Sequence, residues 1–185
     1  MNSAEINIIF FSECYANKGF SAELKIKLCE KVNDLRPLCM HGRGMGRDEI
    51  LRKIKTQHLR NMIKALRIHN LRAIIVVIDR EEGISTAYID KWLCKDGLES
   101  LREHGFDIDF CRRYEREWAI YGIIFNPRIE DSLLCKLNPR ICEDYNILSE
   151  IKSKRGFEIV RELVSKHSKT QKLLTLLAGK IAELI

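Results

Sequence analysis

The stretch Ala73–Gly83, AIIVVIDREEG, constrains this chain more than any other. A continuous Ile/Val run without polar alternation suits a strand covered on both faces, as in parallel sheets flanked by helices. In open α/β sheets ligands bind beyond the carboxyl ends of such strands, where Asp79 falls. If the backbone stays extended for two more residues, Asp79 and Glu81 point to the same side, because strand side chains alternate with a period of two. Two carboxylates so placed repel each other unless a cation sits between them, and a hard divalent ion with oxygen ligands is the simplest candidate. An acidic strand end also serves as a helix cap or a surface ion pair, so the stretch alone leaves both readings open.

With 185 residues the chain can bury one full core, or one domain with a small appendage. Apolar runs such as Ile6–Phe11 are far too short to span a membrane, and the start MNSAEI lacks a basic segment followed by a long apolar core. A cytoplasmic protein is expected. Seven cysteines are scattered with no CxxC pair and no His-rich cluster beside them, which points to buried reduced thiols rather than a disulfide framework or structural zinc. Abundant Ile, Lys, Arg and Glu with three prolines also suits a thermophile, in which cytosolic disulfides occur.

The net charge of +6 is uneven. Between Arg36 and Arg72, ten basic residues face only Asp48 and Glu49, a local surplus of eight. A concentrated positive field of this kind recruits phosphate backbones, although solvated basic helix faces are common in proteins that bind no nucleic acid.

In chain order, Ile6–Phe11 reads as the first strand, with Glu13 just beyond it. Ser21 is placed to cap a helix carrying Leu24, Leu28 and Val32. Arg36–Met40 reads as a second strand, leading to HGRGMGRDE, whose glycines and helix start can bind an anion, with Arg43 and Arg47 as phosphate ligands. A plain flexible turn fits the same loop. Helices are expected over Asp48–His69 and Thr86–His104, the latter ended by Gly105. Phe106–Tyr114 alternates as a fourth strand, and Glu115-Arg116-Glu117-Trp118 then opens an apolar helix reaching Phe125. From about Asn126 onward the chain reads as helices only. The expected class is therefore α/β, with a mainly parallel sheet of about four strands flanked by helices. Residues 1–125 form that domain and residues 126–185 an all-helical extension packed on it.

The order Glu13, then Asp79-Arg80-Glu81, then Glu115-Arg116-Glu117-Trp118, each after a strand, resembles the TOPRIM-like proteins, the module of topoisomerases, primases and OLD-family nucleases. The family signature is a glutamate after the first strand and a DxD pair after a later one. Here Cys14 stands where glycine usually follows the glutamate, and DxE stands for DxD. The resemblance implies that Glu13, Asp79 and Glu81 hold Mg²⁺ or Mn²⁺ and carry catalysis, with Glu115 and Glu117 in a second tier. It implies phosphoryl transfer on nucleic acid by a nuclease, with Glu13 as an alternative general base. A non-catalytic module binding nucleic acid or a protein partner through the basic segment is the second reading. A flavodoxin-like nucleotide site at the HGRGMGR loop is a third. The apolar stripe of the last helix, Leu173 to Leu184, suits core packing or a homodimer, and an operon-encoded partner fits as well.

Overall fold

The computed structural model describes residues 5–39, 46–81 and 85–185. Met40, Gly42, Arg43, Gly44 and Glu82 lie outside the described residues, and with them most of the HGRGMGR loop.

Six strands occur among the described residues: β1 (Ile6–Ser12), β2 (Leu35–Cys39), β3 (Leu71–Asp79), β4 (Gly97–Ser100), β5 (Ile108–Tyr114) and β6 (Ala119–Phe125). They form one sheet in the order β2-β1-β3-β6-β5-β4. The first four in that order run parallel, whereas β5 is antiparallel to β6 and β4 to β5. The expected parallel sheet of about four strands is thus one part of a six-stranded mixed sheet.

Three stretches depart from expectation, each for a physical reason. AIYGIIF, expected to be helical, is β6, and all seven of its residues are buried. A run so short and so apolar needs cover on every side, which a strand between β3 and β5 obtains and a surface helix does not. The Asp48–His69 segment divides into α2 (Arg47–Lys53) and α3 (Thr56–Ala65). The Thr86–His104 segment is α4 (Ser85–Tyr88), continued as a π-helical stretch over Ile89–Leu93, and the chain then returns as edge strand β4. Gly105, at φ 86°, ends only a short 3₁₀ turn in the left-handed region that glycine tolerates.

The first helix, α1 (Tyr15–Lys31), starts earlier than its sequence suggests. Cys14 caps it, its sulfur accepting the Asn17 amide at 3.4 Å. Ser21 is an interior residue that exchanges a 2.7 Å hydrogen bond with Ser12.

Right-handed crossovers place α1 on one face of the sheet and α2 and α3 on the other. Ile8, Phe10, Ile75, Val77, Tyr121 and Ile123 pack on the α1 face. Ile9, Phe11, Ile74, Val76, Ile78 and Ile124 pack on the opposite one. After β6 every described element is helical: a π-helical stretch over Glu130–Leu134, then α5 (Cys135–Leu137), α6 (Arg140–Glu143), α7 (Tyr145–Lys152), α8 (Gly156–Lys166) and α9 (Ser168–Ala182). These helices cover α1 and share its apolar cluster through Val160, Leu174, Leu177 and Ile181. The α1–α8 approach depends on Gly19, where an added Cβ would lie 2.5 Å from the Phe157 carbonyl oxygen.

The thiols also differ from expectation. Cys94 pairs with Cys111 and Cys135 with Cys142 in disulfides, with Cα separations of 5.0 and 5.6 Å. Folding brings these cysteines together from different elements, which their scattered spacing does not reveal. No helix among the described residues is long and apolar enough to cross a membrane.

Candidate active site

The chain leaves β1 for β2 on one side and returns as β3 on the other, so the strand order reverses between β1 and β3. The crevice beyond the carboxyl ends at such a reversal is where open α/β sheets bind ligands. Glu13 follows β1 and Asp79 ends β3, and the fold joins them directly. The Glu13 amide donates to the Val77 carbonyl at 3.1 Å, and Glu13 Oε2 accepts the Asp79 amide at 2.9 Å.

Asp79 lies on the same face as Ala73, Ile75 and Val77, so its carboxylate enters the space under α1 and is only 6% exposed. Its Oδ1 accepts the Ile129 amide at 3.0 Å. Fully buried Asn17 is close enough to favour the ionised form, although its side-chain carboxamide makes no hydrogen bond of normal geometry. These contacts are outweighed. Burial first, then the Glu13 and Glu130 carboxylates, push the Asp79 carboxyl up to about 8. Glu13 is raised too, chiefly by burial, with the Asp79 amide and Arg47 acting against it and Glu81 and Asp48 adding to it. Burial and the Asp79, Glu13 and Glu130 charges likewise push the Cys14 thiol up to about 12.

Glu130 is absent from the sequence-based set. It lies five residues beyond β6, is 8% exposed, and leaves Oε2 buried without a hydrogen-bond partner. Reading AIYGIIF as a strand would have exposed it, since the carboxyl end of β6 lies beside that of β3 in a parallel pair, with Asp79 opposite Phe125.

Glu81 does not sit as an extended strand would put it. The strand stops at Asp79 and Glu81 takes φ 45°, with its amide donating to the Pro127 carbonyl at 2.9 Å. Its carboxylate is half exposed at the rim and faces Arg47 at 3.7 Å. Arg47 is turned inward rather than presented to a ligand: its guanidinium donates to the Asp79 and Arg80 carbonyls, which fixes the end of β3. Arg43, the other expected phosphate ligand, lies outside the described residues. Arg80 is held in turn by Asn126 at 2.9 Å and by Asp90 and Asp109 at 3.3 Å each.

Glu115 and Glu117 belong elsewhere. They occupy the turn from antiparallel β5 into β6, level with Ala73 at the amino end of β3. At about 3.3 Å per residue, that edge lies roughly 20 Å from Asp79. Glu115 instead anchors structure, accepting the Thr56 hydroxyl at 2.9 Å and facing buried Arg113 at 3.2 Å.

Among the described residues, no three His, Cys, Asp or Glu side chains are grouped so as to hold a metal ion. The donor chemistry still suits Mg²⁺, which keeps several waters and is commonly bound through one or two carboxylates. Comparison with protein families, with curated proteins and with solved structures found no match to this chain.

Proposed function

We propose that the chain performs divalent-cation-dependent phosphoryl transfer on nucleic acid, as a nuclease working in the TOPRIM-like manner. The observation that carries this reading is Asp79: a carboxylate at the switch point, buried beside Glu13 and Glu130, with its pKa pushed up to about 8. Strong perturbation by burial plus specific charged neighbours in a ligand-binding crevice is characteristic of functional carboxylates.

Asp79 and Glu13 would hold Mg²⁺ or Mn²⁺, while buried Glu130, its Oε2 unpartnered, adds negative charge beside them. A cation held there would supply charge neutralisation at a scissile phosphate and ease formation of the attacking oxygen. The Asp79 amide fixes one oxygen of Glu13, and the raised pKa of that carboxylate suits it to accept a proton from an attacking water. Ile129 and Arg47 keep Asp79 in place, the first through its carboxylate and the second through the backbone. Glu81 stands at the rim, where it meets solvent and substrate before the buried pair does.

The test is cleavage of labelled DNA and RNA with Mg²⁺ or Mn²⁺. Asp79→Asn is expected to abolish divalent-dependent cleavage while leaving the circular dichroism spectrum unchanged, and full activity in that variant would exclude the mechanism. The second reading, a non-catalytic nucleic-acid-binding module, is favoured by the absence of a three-carboxylate group among the described residues. It requires salt-sensitive binding that chelator leaves intact, with no cleavage under any divalent ion.

A further inference from the structure

We propose that the amino-terminal edge of the sheet, opposite the acidic crevice, is a binding track for single-stranded nucleic acid. This inference rests on the nucleic-acid part of the proposed function and is independent of catalysis.

Two grooves adjoin there. One, of about 350 Å³, is lined by Lys55, Lys91 and Lys95 together with Trp92 and Tyr114. The other, of about 620 Å³, includes Arg60, Lys64 and Arg116 beside Trp118. Helix α3 and the turn between β5 and β6 border both, so the two form one continuous surface. None of these six cations pairs with a carboxylate among the described residues. The nearest acid of the first groove, Glu115, is already engaged by Thr56 and Arg113. Lys53 and Lys180, by contrast, are neutralised by Glu49 and Glu99.

The first groove is also ordered before any ligand arrives. The Lys55 ammonium lies 4.0 Å over the Trp92 ring, and Tyr88 stacks on that ring at 4.3 Å and 15°. Both cannot occupy one face at those distances, so Trp92 is held between them and in turn fixes Lys55. Trp92 is therefore a support, and the exposed ring that lines the groove is Tyr114, at 49%. Unpaired lysines beside an exposed aromatic ring are the combination that binds a strand whose bases are unstacked. A duplex keeps its bases inside and would leave Tyr114 unused.

The experiment measures fluorescence anisotropy of a labelled single strand of about 20 nucleotides with the full chain in EDTA, across a salt series, beside the matching duplex. Combined Lys55→Glu, Lys91→Glu and Lys95→Glu is expected to weaken single-strand binding at least about tenfold at low salt. It should also reduce the slope of log affinity against log salt by about 2, at about 0.7 per phosphate contact. An equal charge change on another surface, Lys152→Glu with Lys154→Glu and Lys169→Glu, is expected to leave affinity within about twofold, because net charge alone acts weakly at a distance in salt. Lys91→Ala with Lys95→Ala, both exposed positions, serves if the triple variant fails to fold and should weaken binding severalfold. The only two tryptophans of the chain border the grooves, so bound strand should quench their emission. Equal losses in the two triple variants, tighter binding of duplex, or no binding at low salt would each overturn the proposal. Strand binding that survives in a protein without cleavage keeps the track and removes the catalytic reading, whereas cleavage unaffected by the lysine variants does the reverse.

Discussion

Replacing Asp79 with asparagine should make this protein more stable, and increasingly so as pH rises. In the folded chain the carboxyl has a pKa of about 8 against an ordinary 3.8. Between those values the folded state binds a proton that the unfolded state has released, so stability falls as pH rises through that window. At 1.36 kcal/mol per tenfold change in proton affinity, the full difference corresponds to a ceiling of about 6 kcal/mol above pH 8, vanishing below pH 4. Relaxation around the ionised group and water entry reduce such ceilings by a factor of two or three, leaving about 2–3 kcal/mol at pH 8. Asparagine fits the position: its oxygen can still accept the Ile129 amide, and its nitrogen can donate to the carboxylates of Glu13 or Glu130 that now repel Asp79. For a chain of this length the gain is a rise in Tm of about 5–10 °C at pH 8. Thermal unfolding followed by circular dichroism at pH 5, 6, 7, 8 and 9 in EDTA measures it. A variant less stable than the parent at pH 8, or a difference that does not change with pH, would refute the assignment of a strained, charge-crowded Asp79.

Two further perturbations probe separate parts of the molecule. Arg113→Ala should cost about 3–5 kcal/mol in urea denaturation, because it strips the Ile54 and Trp92 carbonyls of their donor and leaves Glu115 without its buried partner. Cys14 and Cys29 are both exposed, so with its thiol pushed up to about 12 Cys14 should react with iodoacetamide more slowly at pH 8 than Cys29, as peptide mapping by mass spectrometry would show. Asp79→Asn should speed the Cys14 reaction by removing one of the charges that raise it, and equal rates for the two cysteines would contradict the crowding.

The central strand was legible because its signal is local: a continuous Ile/Val run admits one environment, and the structure buries it on both faces. Glu13 and Asp79 could be paired from order alone, since parallel strands bring their carboxyl ends to a common edge. What failed was set by long-range partners. Residues 119–125 follow two glutamates that favour a helix start, and only hydrogen bonding to β3 and β5 makes them a strand. That one misreading hid Glu130 and sent Glu115 and Glu117 to the wrong edge, because the direction of β5 is not written in its residues. Arg47 carries the same lesson for long side chains: its position in a basic segment suggested a phosphate ligand, whereas the fold directs it to backbone carbonyls.

The helices after β6 bear on how the crevice can move. Helix α1 carries Asn17 over Asp79 and is clamped to α8 at Gly19, and the segment entering those helices supplies the Ile129 amide that holds the carboxylate. One apolar cluster runs from Ile8 through Leu28 to Ile181, so there is no seam along which this wall could open by itself. Amide protons of α1 from Gly19 onward, past the first turn, should therefore exchange with solvent only when the entire chain unfolds, with the same protection as the central strands. Access to the carboxylates must come from the opposite side, past Glu81, and the chemistry of this crevice inherits the cooperativity of the whole fold.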